Sequence, residues 1–171
     1  HGAVEPRWQD VLYRIAVSGF WIGPNKRPKG DERICRRCGV HTDGNPIQGA
    51  DETLEHAYST CSEVDTLWRM MLTDWNAQTG ENLPINDDRV RLLGDRGTHK
   101  RAATEEAWRV VHAAACWEIH KTRRAYTDNI PGRKTRAKAM LRAVKHSVQE
   151  AARRRCFTQR SAGKEREFMQ A

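Results

Sequence analysis

Apolar residues recur three or four positions apart over most of the chain, and Gly and Pro divide that rhythm into helices. "EPRWQDVLYRIAVSGF" reads as the first. Pro6 suits the first helical position, Trp8, Leu12, Ile15 and Ala16 share a face, and Gly19 is the expected stop. "GPNKRPKGDER" has no such rhythm and reads as a loop. A short helix is expected from Asp51 or Thr53, carrying Leu54 and His56. Ser62 then looks like a fresh cap, with Asp65 three residues on, for a helix bearing Val64, Leu67, Trp68, Met71, Leu72 and Trp75 and ending at Gly80. "ENLPINDD" is a connection, and "RVRLLG" a single turn of helix. A long helix is predicted over residues 98–126, with Ala107, Trp108, Val111, Ala114, Ala115 and Ile119 as its stripe. "DNIPG" breaks it, and a last helix spans 133–155 with Ala137, Met140, Leu141, Val144, Val148 and Ala151 inward. No strand-like alternation, internal repeat or Gly-rich phosphate loop is present.

The class is therefore all-α. The expected organisation is a metal-stapled helical module over residues 1–80, a linker over 81–97, an antiparallel basic helical pair over 98–155 and a frayed tail over 156–171. Apolar content of 38% leaves a thin core, of the kind a metal often staples. No run approaches the roughly 20 apolar residues of a membrane helix. The chain opens at His1, so a piece of a longer polypeptide is expected.

Charge alters this picture by its distribution. Residues 1–90 hold 10 Lys/Arg against 14 Asp/Glu, a balance of −4, and residues 91–171 hold 20 against 8, a balance of +12. So one-sided a charge suggests a polyanionic partner, most often nucleic acid. The candidate contacts are Arg36, Arg37, Lys121, Arg123, Arg124, Arg133, Lys134, Arg136, Lys138, Arg142, Lys145, Arg153, Arg154 and Arg155. Such side chains would grip phosphates with little choice of sequence.

Five cysteines cannot all pair within one chain, and metal-bound thiols in a reducing compartment fit better. Cys35 and Cys38 are three apart, and His56 and Cys61 five apart: four soft donors, the number a tetrahedral zinc ion needs. His41 is a rival ligand. At about 100° per residue, five positions turn about 500°, leaving His56 and Cys61 about 140° apart on an unbroken helix. The chain must leave α-helical geometry between them. Three thiolates, a neutral imidazole and Zn²⁺ sum to −1, which Arg33, Arg36 and Arg37 could offset. Four protein ligands close the site, so one structural zinc ion is expected.

"ICRRCG", "DETLEHAYSTC" and "VDTLW" together resemble the zinc-binding domain that follows the reverse transcriptase in non-LTR retrotransposon (LINE-like) polyproteins. "WQDVLYRIAVSGFWIG" is similar to the helix before the knuckle there, and "AACWEIHKTRRAYT" to its Trp-rich, then basic, helix. The resemblance covers about Trp8 to Tyr126; its pattern includes the Glu52-Thr53 pair, and it carries over Cys35, Cys38, His56, Cys61 and Trp68. The connection from Cys38 to His56 is longer than usual, and Ile119-His120 departs from an apolar-Trp pair. The resemblance implies an accessory module that holds template RNA or target DNA during target-primed reverse transcription. The polymerase and endonuclease, and an upstream reverse transcriptase domain as partner, would lie elsewhere in the parent. It implies an intracellular place, nuclear and cytoplasmic, and neither a membrane nor a small-molecule substrate.

Catalytic signals are poor. Asp87-Asp88 and Glu105-Glu106 diverge on a helix, and Cys116 and Cys156 have no evident base, so the fragment is expected not to be an enzyme. Trp68, Trp75 and Trp108 sit at core spacing, Trp21 could stack on a base or cover the core, and Trp117 is left unassigned. The competing reading is a structural module docked on the polymerase, its basic face meeting acidic protein.

Overall fold

A computed structural model describes residues 4–17, 34–38, 49–97, 102–127 and 136–170, with side chains of the last helix as far as Cys156. Among these the chain forms five α-helices and one π-turn, with no strand beyond an isolated bridge between Ile34 and Asp51. Gly19, Trp21, Arg33, His41, Arg133, Lys134 and the "GPNKRPKGDER" loop lie outside the described residues.

Helix α1 (Pro6–Ala16) starts at Pro6 and buries Trp8, Val11 and Ile15. Leu12 is only half buried and Ala16 is exposed, so the inward stripe is rotated from the expected one. Helix α2 (Ser62–Thr79) buries Val64, Leu67, Trp68, Met71 and Leu72, and Gly80 ends it with φ 67°. Ser62 is not its cap. Cys61 holds that place with an extended ψ of 132°, and the Cys61 carbonyl accepts from the Asp65 amide at 2.7 Å. Asp65 instead pairs with Arg69 and Arg91.

Helix α3 (Asp88–Leu93) is capped by Asp87, whose carboxylate accepts from the Arg89 amide at 2.8 Å, and closes on Gly94 with φ 66°. A side chain at Gly94 would place its Cβ 3.0 Å from the His112 imidazole, so glycine is required there by conformation and by space. The stretch 81–97 packs rather than links. Leu83 and Val90 belong to the one core. Arg96 is buried against Glu81 and reaches Glu105 at 3.1 Å and Thr104 at 2.6 Å, while Trp75 donates to Glu81 at 2.8 Å.

Helix α4 (Ala102–Thr127) is central and packs against both α1 and α5 (Ala137–Gln170). Burial therefore spreads around it: Trp108, Ala113, Ala114, Ala115, Cys116 and Ile119, joined by His112, Thr122 and Arg123, with Ala107 exposed. Helix α5 runs antiparallel to α4, as the pairs Arg155–Glu106 and Ser147–Glu118 show. It also lies on α2, whose Glu63 accepts from the Ala137 amide at the α5 N-terminus. The helix does not end at Arg155 but continues to Gln170, where a frayed tail was expected. No proline stops it, and Gly163 alone interrupts its helix-forming residues.

Candidate metal centre and cationic face

Two segments meet beside α4. The first is the Cys35–Cys38 turn, anchored where the Cys35 amide donates to Ala50 at 2.9 Å. The second starts at Thr53, whose hydroxyl accepts from the His56 amide at 3.0 Å and caps a short turn at Leu54. From His56 to Thr60 the turn widens to π geometry, closed by the Cys61 amide donating to the His56 carbonyl at 2.8 Å. This wider loop resolves the angular conflict, because residues five apart return to the same side. The chain thus leaves α geometry between the two donors by widening its turn, and only then, at Cys61, by extending. Trp68 donates to the Tyr58 carbonyl at 2.8 Å and holds the π-turn from behind.

Cys35, Cys38, His56 and Cys61 converge, their donor atoms all within 4.8 Å of one another. The Sγ atoms of Cys35 and Cys61 are 4.0 Å apart, and Cys38 Sγ is 3.2 Å from His56 Nε2. A tetrahedron with metal–sulfur bonds of about 2.3 Å and metal–nitrogen bonds of about 2.0 Å has edges of about 3.5–3.8 Å. The donor set and its spacing therefore fit a metal ion. The sulfurs also have the polar support such sites use. Backbone amides of Arg37 and Cys38 donate to Cys35, and that of Ala50 to Cys38. The hydrogen bond from Cys61 is the main influence holding the Cys35 thiol below its ordinary range, against burial. Cys61 is correspondingly pushed up, first by donating that bond and then by burial, and burial raises Cys38. A cation bound by the three sulfurs displaces their protons.

Three ties join this centre to α4. Arg37 donates to the carbonyls of Ala57 at 3.2 Å and Ile119 at 3.0 Å. Arg123 forms a two-pronged pair with Glu52 at 3.0 and 3.1 Å. The Tyr58 hydroxyl meets His120 Nδ1 at 3.0 Å. The Glu52-Thr53 pair thus has a division of labour, Glu52 clamping α4 and Thr53 capping the ligand turn. Tyr58 went unnoticed in the sequence, where no spacing distinguishes it.

The candidate nucleic-acid contacts separate into groups. Arg37 and Arg123 are buried, and their guanidinium groups are committed to the interior. They are not surface contacts, because the knuckle turn and α4 aim them at carbonyls and at Glu52. Arg154 and Arg155 are exposed but bound to Glu5 and Glu106, Arg153 is near Glu150 at 3.4 Å, and Lys121 holds Glu118. Arg36, Arg124 and Arg136 are exposed. On α5, Lys138, Arg142, Lys145, Gln149 and Arg153 follow one another at steps of four or three, all exposed, on the side opposite buried Ala137, Met140 and Val144. At 1.5 Å per residue this stripe extends about 22 Å. Only Asp74, on Lys145 at 2.8 Å, and Glu150 intrude on it among the described residues.

Trp68 and Trp108 are core residues and Trp75 is half buried at its edge. Trp117 is half buried beneath the Arg7 guanidinium, 5.5 Å from the ring centroid. Cys116 does have a histidine neighbour, His112 Nε2 at 3.8 Å, but that nitrogen also meets the Arg91 carbonyl at 2.9 Å. Burial pushes His112 down to about 4 and the Cys116 thiol up, which is the chemistry of an inert pair. No helix among the described residues is long and apolar enough to cross a membrane. Compared with known protein families, curated proteins and solved structures, the chain matches none of them.

Proposed function

We propose that this chain is a nucleic-acid-binding accessory module, stapled by one structural zinc ion, of the kind that follows the reverse transcriptase in retrotransposon polyproteins. Polymerisation and strand cleavage belong to other parts of such a protein. Cys35, Cys38, His56 and Cys61 hold the ion. Three sulfurs and an imidazole suit zinc, and four protein donors leave no position for a reactive water. The ion stabilises the fold and supplies no reaction step.

The observation that carries the binding role is the cationic stripe along α5. Its four charges, Lys138, Arg142, Lys145 and Arg153, point away from the core in a line that suits a phosphate backbone. Template RNA, target DNA or their hybrid is the ligand. Four contacts give a salt slope of about −3.6 on duplex DNA, hence about a hundredfold loss of affinity between 50 and 200 mM salt. Replacing Lys138 and Arg142 together by glutamine removes about two from that slope. Fluorescence anisotropy with labelled single strands, duplex and hybrid reads both numbers.

A second reading has its own observation. Tyr13, Val17 and Leu93 are large exposed apolar side chains on α1, just after it and on α3, two elements that pack together. Their exposure favours docking of these elements on another protein. Wild-type protein with no affinity for any of the three nucleic acids at 50 mM salt would leave docking as the role.

A further inference from the structure

Four arginines are buried among the described residues: Arg37, Arg91, Arg96 and Arg123. Three of them sit on carboxylates, Arg91 on Asp65, Arg96 on Glu81 and Glu105, and Arg123 on Glu52. Arg37 differs. Its two terminal nitrogens donate to the Ala57 and Ile119 carbonyls, and its Nε is buried with no partner among the described residues. Carbonyl oxygens satisfy hydrogens but carry no net charge. A buried guanidinium with no anion beside it is strongly unfavourable, so its counter-charge has to be found.

Arg37 occupies the turn between Cys35 and Cys38, with Ala57, which accepts its hydrogen bond, next to His56. Three thiolates, a neutral imidazole and a divalent cation carry a net −1. One guanidinium balances that charge. Its neighbour Arg36 is exposed and does not share the interior position.

We propose that Arg37 is an outer-sphere residue of the metal centre, the counter-cation of an anionic ion–thiolate cluster and the latch fastening that cluster to α4 through the Ile119 carbonyl. This rests on the reading that the four donors hold a divalent ion. Arg37 does not touch the ion. It stabilises the charge of the loaded cluster and fixes the knuckle against a rigid helix, the two things outer-shell partners do for metal ligands. Lysine keeps the charge but lacks the planar fork that spans two carbonyls, so it replaces Arg37 only in part.

The test uses the full chain and cobalt(II) as probe, under reducing conditions, following the thiolate-to-cobalt absorption and obtaining affinity by chelator competition. Wild type is expected to take up one cobalt per chain with a tetrahedral spectrum. Arg37→Met should bind about 10–100-fold more weakly. Arg37→Lys should recover part of the loss, and Arg36→Met should equal wild type. If Arg37→Met does not fold, the comparison of Arg37→Lys and Arg36→Met with wild type, in affinity and in spectrum, decides the matter. Wild-type affinity in both Arg37 variants, or a lysine variant no better than the methionine one, overturns the role. Failure of wild type to bind cobalt overturns the metal reading itself, an outcome distinct from loss in the variants alone.

Discussion

Replacing Cys61 with serine separates a metal-stapled fold from one whose thiols are merely buried. Cys61 is fully buried, its sulfur lies 4.0 Å from that of Cys35, and its backbone caps α2. The backbone role survives the substitution, since the Cys61 carbonyl and amide are unchanged. The serine hydroxyl stays protonated near neutral pH and is a poor zinc ligand, so the ion loses a corner of its tetrahedron. With free zinc at about a thousand times the dissociation constant, ligand binding contributes about 4 kcal/mol to the wild-type fold. For a chain of 171 residues, 1 kcal/mol corresponds to about 2–4 °C in melting temperature. Cys61→Ser should therefore melt about 8–16 °C below wild type in zinc. Wild type in excess chelator should fall to nearly the same temperature, and chelator should leave the variant almost unmoved. Thermal scans by circular dichroism, paired with metal content per chain, measure all four states. A variant that retains zinc and melts like wild type, or a wild type indifferent to chelator, refutes the reasoning.

Trp68→Phe removes the indole donor that holds the Tyr58 carbonyl in the π-turn; urea titration should show a loss of about 1–3 kcal/mol, with weaker zinc binding accompanying it. Unaltered stability and zinc affinity would show that the turn holds itself. Burial depresses His112 to about 4 from an ordinary 6.5, so the unfolded chain takes up this proton first as pH falls. Its contribution is complete above pH 6.5 and is lost towards pH 4, amounting to about 3 kcal/mol. Urea titrations in chelator should therefore show wild type losing stability more steeply than His112→Phe across that interval. Parallel curves would contradict it.

Much of the helical framework was legible, because spacing and end signals agreed. The α2 stripe from Val64 to Leu72 and its stop at Gly80 are local properties of the sequence. What escaped was set by distant partners. Periodicity gave α4 one apolar stripe, yet burial extends past it to His112, Cys116 and Arg123, of which the histidine and the arginine carry no apolar signal. Ser62 looked like a cap, but the π-turn delivers Cys61 in extended geometry one residue earlier. The four donors were readable because their chemistry is rare and their spacing constrained. Arg37 was legible only together with Arg33 and Arg36 as an offset to the cluster's charge, since a buried arginine and an exposed one look alike within "RICRRC", and only the fold tells Arg36 from Arg37. The α5 stripe was visible in its charge, whereas the neutralisation of Arg154 and Arg155 by Glu5 and Glu106 depends on residues 149 and 49 positions away.

Helix α5 lies across both α4 and α2, and Glu63 of α2 caps its first turn. Each half of the chain therefore completes the other. Severed near residue 97, the N-terminal piece would bare the side of α2 that α5 shields, and the C-terminal pair would lose the walls around α4. The molecule should unfold as a single cooperative unit, so that an event at the sulfurs is felt along the basic helix.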